Sequence, residues 1–335
     1  MRRPWDDGPV SFPGYPRPES GRPGGWPADQ PGPIPLRPLG VGDLLGVAVT
    51  VVRRCAVPLC LAAFLAALLS NGTTLAVLAL AGSLRTYAEA TWLQDIIDGG
   101  SSIPPAIIVS ALSGLVVSTV GGVLVAGMAA AGAGSLAQGR DGRGAVAQRM
   151  AGRWGALLGV AVVVGVLCSL GLMLLVVPGV IAYLILVLAA PAAVMERAGI
   201  GESMRRSAQL SRGHRGRILG VTLLAGIISG FTSTVITTVL SSVVSQSDPV
   251  SALLITQLIG TVVAAFTGAW TGAVIALIYI DIRIRTEHLD YALRIAAESD
   301  RRARLQDRAP GPDQRPGQRP DQPPDGLIPP PPPAG

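Results

Sequence analysis

Long uncharged stretches alternate along this chain with short segments rich in arginine. The stretches cover roughly residues 55–84, 99–135, 155–195, 218–247 and 249–280, and none holds an Asp, Glu, Arg or Lys. Apolar runs of that length would aggregate in water, whereas about 20 such residues, coiled as a helix, cross the hydrocarbon core of a bilayer. The pattern predicts an all-α, polytopic transmembrane helical bundle of six spans. The first covers 55–82; its Asn71-Gly72 pair is a turn signal, but the remainder is too short to cross alone, so one long helix is expected. The second covers 104–135. The run 155–195 is too long for one crossing, and Pro178-Gly179 divides it into spans at 155–176 and 180–195. The fifth and sixth, 218–244 and 251–280, are separated by SQSDP.

Arginine placement sets the expected orientation. Seven arginines lie in 1–54, four in 136–154, six in 196–217 and nine in 281–335, against Arg85 alone in the alternate connections. Basic residues concentrate on the cytoplasmic side of a span, so both termini are expected there. Residues 34–294 form the expected membrane domain and 295–308 a cytoplasmic helical extension. The flanks, 1–33 and 309–335, are Pro/Gly-rich without apolar periodicity and are expected to be disordered. No cleavable leader is recognisable, so the first span is expected to serve as an uncleaved anchor. The five prolines at 329–333 offer a polyproline segment for an aromatic groove, or simply a stiff, solvated tail.

Within the spans, small residues recur every fourth position. They are Gly114, Ser118, Gly122, Ala126, Ala130 and Gly134 on the second, Thr222, Gly226, Gly230 and Thr234 on the fifth, and Gly260, Ala264, Gly268, Gly272 and Ala276 on the sixth. Such stripes let membrane helices approach closely. A partial repeat also appears: AQRMAGRWGALLGV at 147–160 aligns with AQLSRGHRGRILGV at 208–221, and GDLLGVAVTVVRRCAV at 42–57 is a looser third case. Each is a basic segment leading into a span. Three hairpins are therefore expected, each preceded by a short interfacial helix; in the first, Leu44, Val47, Ala48 and Val51 form a face for the headgroup boundary.

Composition narrows the function. Only 14% of residues are charged and the mean hydropathy is +0.49, far from a soluble domain. The chain lacks lysine, which fits codon bias in a GC-rich genome. Its net charge of +6 is explained by arginines beside membrane spans and points to anionic lipid headgroups, not nucleic acid. Cys55, Cys60 and Cys168 lie in or at the edge of apolar runs without metal-ligand spacing. His214 and His288 have no ligand companions, and GRDGRG at 139–144 lacks the Lys of a phosphate loop. The spans carry no ionisable group, so a proton- or ion-coupled transporter is disfavoured. No cofactor and no metal site are expected.

Two charged constellations stand out. The first, at 191–217, holds Glu196, Arg197, Glu202, Arg205, Arg206, Arg212, Arg215 and Arg217, with Glu202 and Arg206 one turn apart and the arginines suited to lipid phosphates. The second, at 281–294, alternates in sign through Asp281, Arg283, Arg285, Glu287 and Asp290. One reading takes them as snorkelling anchors and solvated helix surface. Another pairs the two segments across the cytoplasmic face and locks the hairpins, with Arg206 and Glu287 as the pair to test.

The segments 34–54, 191–221 and 276–293 resemble a family of six-span bacterial proteins labelled "glycerophosphoryl diester phosphodiesterase membrane domain", similar to the YciC-like inner-membrane proteins. The resemblance covers about residues 34–294. It implies a helical domain of the bacterial plasma (inner) membrane with cytoplasmic ends and no established activity. The label comes from proteins in which such a domain precedes a soluble phosphodiesterase barrel. Here only a short helix and a Pro-rich tail follow 294, so that activity is not expected to transfer. The resulting expectation is a non-enzymatic integral membrane protein that organises or assists membrane components. Its expected partners are anionic lipids, with other membrane proteins and readers of Pro-rich motifs as further candidates. The alternative is a transport component for an uncharged or lipidic substrate.

Overall fold

A computed structural model describes residues 34, 39–98, 103–139, 142–242 and 248–287. The expected tails at 1–33 and 309–335, the extension at 295–308, and Asp290 and His288 lie outside the described residues. Among those described there is no strand. Twelve helices follow one another: α1 (Val41–Arg54), α2 (Ala56–Leu80), α3 (Leu84–Ala88), α4 (Thr91–Ile97), α5 (Pro105–Ala137), α6 (Gly142–Met150), α7 (Trp154–Leu174), α8 (Val176–Leu186), α9 (Ala189–Met195), α10 (Ile200–Ser211), α11 (Arg215–Ser242) and α12 (Pro249–Glu287). Six segments are long and apolar enough to cross a bilayer: α2, α5, α7, Val177–Met195, α11 and α12. The protein is an all-α, multi-pass membrane bundle.

Prolines explain where the fourth crossing departs from one regular helix. A proline inside a helix collides with the carbonyl four residues back. Pro191 does so toward Val187, and the crossing breaks there into α8 and α9. Pro178 does so toward Leu174, the last residue of α7; Leu175 is extended (φ −162°, ψ 144°) and α8 starts at Val176. The turn therefore lies a few residues before the expected Pro178-Gly179, which instead occupies the first helical turn, where a missing N–H costs nothing. A Cβ on Gly179 would sit 2.5 Å from the Leu172 backbone nitrogen, and one on Gly171 would sit 2.8 Å from the Gly179 Cα. Glycine at both positions is what lets the two helices meet at so tight a turn. Asn71-Gly72, by contrast, makes no turn. Helix α2 runs straight through it, and the Asn71 amide donates across to Thr261 Oγ1 at 2.9 Å on α12.

Lipid tails supply no hydrophobic drive for helix association, so the bundle is held by close packing. Helix α5 is its centre, with every residue from Val125 to Ala137 buried. A Cβ added to Gly121 would meet Ala66 at 2.5 Å, one on Gly127 would meet Leu157 at 2.5 Å, and one on Gly165 would meet Val120 at 2.5 Å. A Cβ on Gly272 would lie 2.9 Å from the Val125 side chain. The expected stripes are used unevenly. Gly114, Ala126, Ala130 and Gly134 of α5 and Gly268, Gly272 and Ala276 of α12 are packed inward, while Gly122 and Gly260 have open space beside them. On α11 the expected stripe fails, because Gly226 and Gly230 are exposed with nothing within 4 Å. That helix packs through Ile218, Val221 and Ala225 instead, and Ser229 bonds Thr271. Spacing marks faces able to pack, and in a chain this rich in glycine more faces qualify than neighbours exist.

Short helices α1, α6 and α10 precede α2, α7 and α11, giving the three expected hairpins. The aligned glycines of the repeat occupy the same place: Gly152 (φ 71°) and Gly213 (φ 83°) take the left-handed turn between short helix and span. The expected role of α1 requires correction. Leu44, Val47, Ala48 and Val51 do not face headgroups; they are buried in the protein core, and the Trp270 indole of α12 donates to the Leu45 carbonyl. An amphipathic pattern shows that an apolar face needs cover but not whether lipid or protein supplies it.

Candidate functional site

The arginine-rich end of the bundle is organised by the last two turns of α12. Residues one turn apart share a helix face, so Tyr279, Arg283 and Glu287 form one stripe and Asp281 and Arg285 another. The two stripes lie roughly 200° apart around the axis. Each is gripped by a different part of the chain.

Asp281 is fully buried. An uncompensated carboxylate there would be strongly unfavourable, and its partners are complete. Oδ1 accepts the Leu39 backbone N–H at 2.8 Å, Oδ2 accepts Arg217 Nε at 2.9 Å, and Arg285 Nε lies 3.2 and 3.0 Å from the two oxygens. Arg217 and Arg285 also donate to the Leu39 carbonyl. One carboxylate and two guanidiniums thus saturate both backbone groups of Leu39, tying the segment before α1 to α11 and α12. Buried Leu39 completes the seal.

On the other stripe four charges form a closed ring. Arg206 of α10 donates to Glu196 (Nε to Oε1 3.0 Å, Nε to Oε2 2.9 Å) and to Glu287. Arg283 donates to Glu287 Oε2 at 2.8 Å and lies 3.7 Å from Glu196. The signs alternate around the ring and cancel. The Tyr279 hydroxyl donates to Glu196, and its ring lies 5.8 Å beneath the Arg283 guanidinium. Burial disfavours the charged form of Arg206, but the carboxylates of Glu196 and Glu287 outweigh it and raise its pKa above the ordinary arginine value.

The two constellations are therefore brought together, and Arg206 with Glu287 is among the contacts. Within them the expected roles divide. Glu196, Arg206, Asp281, Arg283, Arg285 and Glu287 are held in ion pairs. Arg197, Arg205 and Arg212 are exposed and make no ion pair among the described residues. Two expectations are corrected. Arg206 does not pair with Glu202, because it is held by Glu196, just past the end of α9, and by Glu287 on α12, and Arg217 is not free for a phosphate because Asp281 holds it. Leu39 and Tyr279 were missed. Tyr279 precedes Arg283 and Glu287 at four-residue spacing, a signal available in the sequence; a backbone group such as Leu39 carries none.

At the opposite end Arg85 pairs with Glu89 at 3.0 Å and lies 3.7 Å from Asp248, all largely exposed. Exposed pairs of this kind contribute little. An apolar groove of about 570 Å³ lies between α11 and α12, lined in part by Ile236, Leu240, Leu258, Val262 and Phe266. Among the described residues no three His, Cys, Asp or Glu are grouped to hold a metal. Compared with known proteins, the chain matches no family model, no curated protein and no solved structure.

Proposed function

We propose that this chain is a non-enzymatic organiser of the bacterial plasma membrane. Both termini are cytoplasmic, and its arginine-rich end rests against anionic headgroups. The observation carrying this reading is the division of the arginines. An inner set is consumed in closing the fold, while Arg53, Arg54, Arg197, Arg205, Arg212 and Arg215 stay exposed without carboxylate partners among the described residues. Each such cation near an anionic leaflet contributes about 1 kcal/mol. The glycine-tight interior supports a structural role over a conduit, and the charge ring, being internally neutral, suits a clasp better than a proton relay. The likeness of residues 34–294 to the six-span family accords with it.

Extraction from vesicles of equal phosphatidylglycerol and phosphatidylcholine tests the reading. The purified protein is expected to carry phosphatidylglycerol in excess; recovery of the two lipids at the bulk ratio would contradict it. A second reading, a transport component for an uncharged or lipidic substrate, draws on the apolar groove between α11 and α12. Its size is within the usual range for small-molecule sites. Protein-dependent flux of such a substrate in proteoliposomes would favour it.

A further inference from the structure

Building on the lipid-organising reading, we infer that the turn between α10 and α11 seats the phosphate of an anionic lipid headgroup between Arg212 and Arg215. These residues, with Gly213 and Gly216, line a concavity of about 460 Å³ that opens outward. Both guanidiniums are exposed and neither has a carboxylate partner among the described residues. Their chain neighbours differ sharply: Arg206 is held by Glu196 and Glu287, and Arg217 by Asp281. Of the exposed arginines without a carboxylate partner among the described residues, Arg212 and Arg215 are the two that line this concavity.

Local structure keeps the space open. Gly213 takes φ 83°, reversing the chain so that Arg212 and Arg215 both reach the same hollow, and a side chain at Gly213 or Gly216 would project into space that is now empty. His214, between the two arginines, leaves its Nδ1 shielded and without a hydrogen-bond partner. Guanidinium groups present paired N–H donors that match two oxygens of a phosphodiester. The site adjoins the first turn of α11, one of the six segments long and apolar enough to cross a bilayer.

The repeat supplies an internal comparison. The equivalent turn between α6 and α7 has the same left-handed glycine, Gly152 at φ 71°. Ala151 and Trp154 stand there in place of Arg212 and Arg215. That turn shares the left-handed glycine but carries neither of the two cations.

Native mass spectrometry of the full-length protein in detergent, titrated with phosphatidylglycerol or phosphatidylcholine, tests the assignment. R212Q/R215Q is expected to lose about tenfold in phosphatidylglycerol affinity, the loss of roughly one good charge-assisted contact. Phosphatidylcholine binding is expected to be unchanged. R153Q, in the equivalent turn, should alter neither, and R212K/R215K should retain an intermediate affinity. Melting curves verify folding; if the double substitution unfolds the chain, single R215Q, with a smaller loss of affinity expected, takes its place. Wild-type phosphatidylglycerol affinity in folded R212Q/R215Q would overturn the seat alone. No preference for phosphatidylglycerol in the wild type would overturn the lipid-organising reading as well. Displacement of the lipid by millimolar inorganic phosphate would assign the pocket to a soluble anion and overturn the headgroup assignment.

Discussion

Replacing Asp281 with alanine is expected to destabilise the bundle by about 3–5 kcal/mol, the cost of breaking a buried, hydrogen-bonded ion pair by removing one partner. The loss has two parts. Arg217 and Arg285 are left facing each other without the carboxylate between them, and the Leu39 N–H loses its acceptor. Thermal unfolding in detergent should show the midpoint falling by roughly 10 °C. Asp281→Asn keeps the shape and an acceptor for Leu39 but not the charge, so its loss should be smaller than that of Asp281→Ala. Limited proteolysis adds a local readout, since the segment before α1 is held to the bundle through Leu39 and should become cleavable in both variants. Equal stability of wild type and Asp281→Ala would mean that this clasp contributes nothing.

The charge ring has a distinct signature under reversal. Its four contacts run Glu196 to Arg206 to Glu287 to Arg283 and back to Glu196. Arg206→Glu turns two of them repulsive, and so does Glu287→Arg. Combining the two restores the contact between positions 206 and 287 but leaves two other repulsive contacts. The double variant should therefore be no less stable than either single one, and not fully rescued. Because these side chains are about a quarter exposed, each single reversal is expected to cost about 1–3 kcal/mol, short of a fully buried pair. Inverting all four residues together restores the alternation and should recover most of the loss, leaving the altered partner of Tyr279 as the residual cost. Losses that simply add in the double variant would show that the four charges act independently.

The crossings were legible because the signal is binary: a stretch without ions is either long enough to span or not. The three short helices before α2, α7 and α11 were legible from the repeated basic lead-in. What the pattern could not supply was the identity of neighbours. The face Leu44, Val47, Ala48 and Val51 was read correctly as apolar, yet it meets α12 and not headgroups. The α11 stripe around Gly226 and Gly230 had the right spacing and no helix to pack on. Arg206 had a carboxylate one turn away in sequence at Glu202, but two others, distant in sequence, lie closer in space. The break before Pro191 was readable, since proline acts on the carbonyl four residues back; it marks an interruption in a crossing that periodicity alone draws as continuous.

The proposed function requires the six crossings to gather the arginine-rich turns on one side of the membrane. Single cysteines placed at Asp95, Leu175 and Asp248, and separately at Arg153 and Arg197, in a chain whose Cys55, Cys60 and Cys168 are replaced by alanine, test this directly with a membrane-impermeant maleimide. The first three are expected to label in intact spheroplasts and the last two only after the membrane is opened. Labelling of Arg153→Cys or Arg197→Cys in intact spheroplasts, or protection of Leu175→Cys, would contradict the topology.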